Sequence, residues 1–480
     1  MRRALLAVVL VVAGCTSGGP APAPSPSTPS APPSPAASGR FQPGAAGAGD
    51  PYYPTYGNGG YDVASYQLRL RYDPAGNRLT ATATIVATAT ADLSRFNLDL
   101  AGLTVQSVTV DGTRAASARD GNELMITPAR GLAKGTRFTV QVAYGGRPGP
   151  VNPRLGAGGF LHDDGEAVAL GQPESASSWF PVNDHPSDKA TYTVEVTVPE
   201  GVSAISNGVL AGRSTADGWT TWRWEERAPM ASYLATLAVG EYRMTTGEHN
   251  DGKQVVTAVD SSLPAGGPAD RAMARTTEIA DFLATQFGPY PFDAYGGIVV
   301  DDTQVNYALE TQSRPVYGPS FFLGPGDATW VVAHELAHQW FGDSVSVQRW
   351  QDIWLNEGFA SYAEWLWAEH ESGQPVRQSF RDEYERSGDE VWQVPPGDPG
   401  VEGLFSRSVY KRGAMTVHAL RQEVGDDAFF RILKEWPAQK RNGNATTAEF
   451  IAFAEQIAGR SLRSLFDAWL YQKSKPPLPE

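Results

Sequence analysis

The stretch Trp330-Val331-Val332-Ala333-His334-Glu335-Leu336-Ala337-His338-Gln339-Trp340-Phe341, followed by Asn356-Glu357-Gly358, decides how the rest of the chain is read. On a helix each residue turns by ~100°, so His334 and His338 lie about 40° apart, one turn above the other. Both imidazoles then reach one ion. Glu335 is offset by one residue, where it touches a water beside that ion without being a ligand. Two histidines and a glutamate form a ligand set of catalytic zinc, which keeps a fourth position open. The flanks Trp330, Val331, Val332, Ala333, Leu336, Ala337, Trp340 and Phe341 are those of a buried helix. A half-buried helix that turns His, Glu and His inward has to satisfy those groups, and a metal does so in one step. The competing reading is a surface helix with two unrelated histidines. The set would also accept cobalt or manganese.

Outward from the motif, composition narrows the choices. With 480 residues the chain is too long for one core, so two folded domains are expected. A net charge of −14 argues against a nucleic-acid partner. The single cysteine excludes an internal disulfide. Arg2-Arg3 precede a short apolar run from Ala4 to Ala13, too short to span a membrane, which reads as a signal peptide over residues 1–14. Val12-Ala13-Gly14-Cys15 resembles a bacterial lipobox, which implies cleavage before Cys15 and its acylation. An ordinary signal peptide or a short uncleaved anchor are the alternatives, and Arg2-Arg3 hint at twin-arginine export. The expected location is the outer face of a bacterial cytoplasmic membrane, held by the lipid at Cys15. Residues 15–50 are rich in Pro, Ala, Ser and Gly and read as an extended, unfolded tether.

Residues 51–245 alternate in the manner of strands, as in Tyr66 to Tyr72, Leu79 to Val86, Phe138 to Ala143, Ala190 to Val198 and Thr220 to Glu225. Asp73-Pro74-Ala75-Gly76-Asn77 has hairpin chemistry. The second domain is expected over residues 246–480, and from about Arg271 its period becomes helical: Ala272 to Phe287, Ala328 to Phe341, Asn356 to Glu371, Gly413 to Glu423 and Thr446 to Ile457. Thr446 and Glu449 are spaced as a capping box. The fold class is multidomain α+β, an all-β saddle or sandwich followed by a mainly helical domain.

These residues together resemble the aminopeptidase-N family of zinc gluzincins. The resemblance rests on His334 to His338, the gap to Glu357, Gly342-Asp343-Ser344-Val345 and Trp354-Leu355-Asn356-Glu357-Gly358-Phe359-Ala360. It extends to Gln172-Pro173-Glu174, to Trp179-Phe180-Pro181-Val182-Asn183-Asp184-His185-Pro186 and to Met230-Ala231-Ser232-Tyr233-Leu234. Tyr307-Ala308-Leu309-Glu310-Thr311 stands at the G-x-M-E-N position, and Tyr410-Lys411-Arg412-Gly413-Ala414 at Y-x-K-G-A. The family implies a thermolysin-like catalytic domain, one zinc ion per chain on His334, His338 and Glu357, and peptide substrates with a free N-terminus.

Zinc in such a site lowers the pKa of a water from ~15.7 to ~7 and polarises a carbonyl. Glu335 takes the proton and passes it to the leaving amine. The resemblance gives Tyr410 the oxyanion, although a packed aromatic at a helix start has the same sequence. It gives the substrate's ammonium to Glu310, with Glu174 as a second carboxylate and Gln172 as a polar neighbour; by itself Glu174 also reads as a solvated loop acid. The departures are His185 for Glu, Tyr307 for Gly, Leu309 for Met, Thr311 for Asn and Arg412 for Lys. Tyr307 is expected to add bulk to the cleft, and Thr311 to remove an amide that orients the glutamate. Larger relatives continue into further domains, so a more open site that admits longer peptides is expected. Arg377 to Arg386 and Arg407 to Arg421 read as solvated helix faces, Tyr410 excepted. An endopeptidase and a catalytically inactive binding lipoprotein stay open as alternatives; retention of Glu335 and Tyr410 speaks against the second.

Overall fold

The long strands of the N-terminal half form because β-branched and aromatic residues alternate with polar ones. In Arg78–Ala89 the buried positions are Leu79, Ala81, Ala83, Ile85, Ala87 and Ala89, one face of the strand. Its partner Tyr61–Asp73 slips by one residue at a bulge between Val63 and Ser65, after which Tyr66, Leu68, Leu70 and Tyr72 point inward. A 3-10 turn over Pro74–Gly76, closed by Asn77 at φ 43°, joins the two. The computed structural model describes residues 40–151, 156–324, 326 and 328–478. The expected signal peptide, Cys15 and most of the expected tether lie outside them.

An eight-stranded sheet runs in the order Val209–Ala216, Trp219–Ala231, Lys189–Pro199, Tyr61–Asp73, Arg78–Ala89, Arg137–Gly146, Thr104–Val110 and Thr113–Arg114. All neighbours are antiparallel except Lys189–Pro199 beside Tyr61–Asp73. A second sheet holds the hairpin Gly158–Asp163 and Glu166–Leu170, which delivers Gln172 just past its end. A third, mixed sheet contains Tyr242–Glu248, Gln254–Asp260, Ala294–Val299, Val316–Tyr317 and Ala308–Leu309, the last at its edge. Helices follow. The chain is therefore an all-β domain followed by a mainly helical domain.

Two expected limits shift. Residues 41–50 belong to the fold: Gln42–Pro43 pairs with Leu93–Asp99, and Asp50 is 2% exposed. Apart from Phe41 the segment has no large apolar residue, and it docks by backbone hydrogen bonds and one buried carboxylate, which composition does not show. The break expected after residue 245 cuts the strand Tyr242–Glu248, which pairs with Gln254–Asp260, so the chain changes sheets at Glu241.

The helices are α1 (Thr329–Ala337), α2 (Trp354–Ser372) and α3 (Gly413–Val424), with others around them. The expected helix over Ala272 to Phe287 is two, Pro268–Ala274 and Thr276–Phe287, where the Thr276 hydroxyl bonds back to Met273 O at 2.8 Å. Asp426–Gln439 is a helix that sequence reading missed; it buries Phe429, Ile432, Leu433 and Trp436 and carries Pro437 in its last turn. The capping box at Thr446 and Glu449 is present. Among the described residues no helix is long and apolar enough to cross a membrane.

Candidate active site

Helix α1 carries His334 and Glu335, and His338 caps it in helical geometry. The helix stops there rather than at Phe341. Gly342 sits at φ 139°, and a Cβ on it would lie 3.2 Å from His338 Nδ1 and 3.4 Å from the Asn356 amide nitrogen. The chain thus turns back tightly beside a ligand where only glycine fits. Helix α2 supplies Glu357, whose Oε2 lies 3.4 Å from Nε2 of both His334 and His338. Gly358 and Gly413 let α2 and α3 meet backbone to backbone: a Cβ on either would come within 3.0 Å of the other's main chain. That contact brings the turn containing Tyr410 against the histidines.

The outer nitrogens of the ligand pair are already used. His334 Nδ1 donates to Glu364 Oε1 at 2.8 Å, and His338 Nδ1 donates to Phe341 O at 2.9 Å. Both Nε2 lone pairs are left facing Glu357, the arrangement that buried metal ligands require. The atoms of His334, His338 and Glu357 lie within 4.8 Å of one another. Burial raises the Glu357 carboxyl, but His338 and His334 outweigh it and hold it down at about 2. Burial lowers His334, but Glu357 and Glu364 outweigh it and push it up to about 9. Burial pushes the Glu335 carboxyl up to about 8, with His334 and His338 pulling the other way. Two imidazole nitrogens and one carboxylate oxygen thus converge on one point. The donor set fits a divalent cation.

Sequence reading missed Glu364, although its signal was present: it stands two turns after Glu357 on the same face of α2. It also missed Gln339. This residue, fully buried, donates to Glu310 O at 3.2 Å and accepts from Ser313 N at 2.7 Å, tying the Glu310 loop to α1.

Tyr410 lies in a π-helical turn, Ser408–Arg412, with its ring 6.0 Å from that of His334 and nearly parallel to it. Such turns often occur where a side chain must be re-aimed. Arg412, expected on a solvated face, is instead buried and donates to the carbonyls of Trp392, Ala468, Trp469 and Gln472. It anchors the C-terminal turns and does not reach the site.

Glu310 is 2% exposed and opens on the same cavity, of about 480 Å³, as His334, Glu335, His338, Glu357 and Tyr410. Its Oε1 accepts from the Tyr233 hydroxyl at 3.0 Å and from Gln172 Nε2 at 3.2 Å. Thr311 does not orient it; the Thr311 hydroxyl donates to Arg314 O. Tyr233 and Gln172 make good the amide that the departure removes. Tyr307 lines the cavity, with its hydroxyl turned to Ala157 O at 2.7 Å. Glu174 does not line the cavity: it is half-buried, and its Oε1 accepts from the Tyr56 hydroxyl at 2.7 Å. The lining also includes the apolar Phe321, Trp330 and Phe405 and the cationic Arg407 and Lys411. A larger recess of about 670 Å³, walled by Asp163, Glu166, Asp260 and Asp302, holds none of these groups.

Comparison with known proteins agrees with this geometry. The model of the peptidase family M1 domain matches residues 271–469, and that of the peptidase M1 N-terminal domain matches residues 63–234. Human glutamyl aminopeptidase is 28% identical over 327 residues, 64% of this chain and 34% of that protein. Aminopeptidase M1 of Arabidopsis thaliana is 26% identical over 451 residues, 86% of this chain and 50% of that protein. The chain thus spans a third to a half of the length of these curated relatives. The crystal structure of an M1 zinc metallopeptidase from Deinococcus radiodurans superposes with a TM-score of 0.82 at 32% identity, covering 90% of this chain and 99% of that one. A variant of that metallopeptidase bound to the peptide Tyr-Ser-Ala gives 0.83 at 31% identity, with the same coverage. The two matched domains, the ligand set and the shared fold place this chain in peptidase family M1, the aminopeptidase-N family.

Proposed function

We propose that this chain is a zinc aminopeptidase that hydrolyses the N-terminal residue from peptides. One observation carries the reading: Glu310 is buried on the wall of the cavity that holds His334, Glu335, His338 and Glu357, with its carboxylate oriented by Tyr233 and Gln172. A carboxylate fixed in a water-poor pocket holds an ammonium by a charge-assisted bond that an acylated amine cannot replace. The named relatives are aminopeptidases, and the solved neighbours are zinc metallopeptidases, one of them holding a tripeptide.

His334, His338 and Glu357 would hold the zinc, which when bound acidifies water and polarises the scissile carbonyl. The chain's own residues do the rest. Glu335 takes a proton from the attacking water and delivers it to the departing amine, a role for which its place on the cavity wall beside His334 and His338 suits it. The Tyr410 hydroxyl donates to the oxyanion as the carbonyl becomes tetrahedral. Glu310 keeps the ammonium in place, so the first peptide bond alone meets Glu335. Glu364 fixes the tautomer of His334.

Anchoring at Cys15 is proposed from the lipobox-like Val12 to Cys15 alone. The full chain, chelated and then returned to zinc, should lose and regain cleavage of alanyl and leucyl fluorogenic amides, and should leave the N-acetyl amides uncut throughout. Equal cleavage of the acetylated amides would favour an endopeptidase, and no cleavage of either with zinc bound would favour a binding protein.

A further inference from the structure

The two histidines of the ligand set have neighbours of different charge. Glu310 lies with His338 and Glu335, the three offering ligand atoms within 4.8 Å of one another. His334 instead donates from Nδ1 to Glu364 Oε1 at 2.8 Å, and Lys411 Nζ donates to Glu364 Oε2 at 3.1 Å. Lys411 follows Tyr410 in the π-helical turn whose tyrosine ring lies beside His334, and Arg407 is the cap residue that opens that turn. Both cations line the cavity, although sequence reading placed them on a solvated helix face. Arg407 is fixed at one corner: Nη2 donates to Glu383 Oε1 at 2.6 Å, and that nearly buried carboxylate also accepts from Ser387 Oγ. Its contact with Glu390 is 3.5 Å long and well exposed on both sides, so it holds weakly. Among the described residues the guanidinium makes no other hydrogen bond to the protein, which leaves it donors to spare. Arg412, five residues on, shows what a purely structural cation looks like here: it is buried and spends its donors on four carbonyls. The Arg407 side chain is 47% exposed.

We propose that Arg407 and Lys411 form a subsite for a carboxylate on the leaving side of the scissile bond, and so set which peptides this chain prefers. The inference rests on the aminopeptidase reading above. A peptide with its ammonium at Glu310 and its scissile carbonyl at Tyr410 continues past His334 toward the turn that carries the two cations. The carboxylate is either the free C-terminus of a di- or tripeptide or an acidic side chain just beyond the cleaved bond. A guanidinium already oriented by Glu383 meets such a group with a charge-assisted, two-pronged bond and loses little freedom in doing so. Lys411 adds a second positive charge from the wall of the same cavity, where the low dielectric strengthens its attraction. Peptides with an acid there are then held at both ends, and peptides without one at the amine alone.

The test uses the full zinc-loaded chain and three matched pairs of peptides: leucylglycine and its amide, leucylglycylglycine and its amide, and the amides of leucylaspartate and leucylasparagine. In at least one pair the member with the carboxylate should be cut with kcat/KM about tenfold higher, chiefly through KM. The pair that shows the preference tells a terminal carboxylate from an acidic side chain. Arg407→Gln and Lys411→Gln, at equal zinc content by elemental analysis, should each lower that ratio by about threefold to tenfold, and Arg407→Lys should keep more of it than Arg407→Gln. Equal cleavage within all three pairs would overturn the proposal. A loss in Arg407→Gln that falls alike on both members of a pair would overturn it too, and leave Arg407 as a structural partner of Glu383. N-acetyl-leucylglycine separates the two readings. If it is cut as well as leucylglycine, the aminopeptidase reading falls, and this inference with it; if it stays uncut while the members of every pair are cut alike, that reading stands and this inference alone falls.

Discussion

The two ends of the cleft are built differently. The ligand end comes from two helices of one domain: His334, Glu335, His338, Glu357 and Glu364 all lie on or at the end of α1 and α2. The amine end is assembled from three distant pieces: Gln172 after a hairpin, Tyr233 in the exit from the β domain, and Glu310 after an edge strand. Local helical spacing fixes the first, so it tolerates change in the rest of the molecule. Long-range packing between domains fixes the second, so it responds to changes far from the chemistry. The catalytic step should therefore fail through single residues at the ligand end, and selectivity through any of several at the amine end.

The largest effect should be Glu335→Gln. With its base gone but its ligands intact, the chain should keep one zinc by elemental analysis and lose at least about a thousandfold in kcat. Persistent turnover would remove Glu335 as the base. Tyr410→Phe should cost about a hundredfold or more in kcat with little change in KM, as expected for a donor used only in the transition state. A rise in KM alone would return Tyr410 to a packing role. Glu364→Gln should weaken zinc by about tenfold to a hundredfold in a competition titration with a chelator, while kcat of the fully loaded enzyme falls less. An unchanged affinity would show that His334 is held without it. Tyr233→Phe should be the mildest, about tenfold in KM, since Gln172 still donates to Glu310. An effect on kcat instead would tie Tyr233 to the ligand end.

The same contrast governs how much the sequence reveals. The ligand end is legible because its spacing is that of a helix, and Glu364 was open to the same reasoning at two turns from Glu357. The end of α1 was misplaced because apolar residues continue to Phe341, while Gly342 and its close approach to His338 depend on α2. Tyr233 was quoted within a motif, but its bond to Glu310 spans 77 residues and no local period points to it. Residues 41–50 read as tether because composition records apolar content and not one buried aspartate with four donors around it. Arg412 read as solvated because a helical period cannot show that four carbonyls converge on its guanidinium. The β strands, with Leu79 to Val86 alternating strictly, were plain from the start.

The most direct test of the two-ended cleft is the ratio of kcat/KM for leucyl amide to that for its N-acetyl form, measured in the unsubstituted chain and in Glu310→Gln with equal zinc content. The account predicts a ratio of about a thousand or more that collapses by about a hundredfold in the variant, mostly through KM of the free-amine substrate. A ratio near one in the unsubstituted chain, or one that survives the substitution, would contradict it.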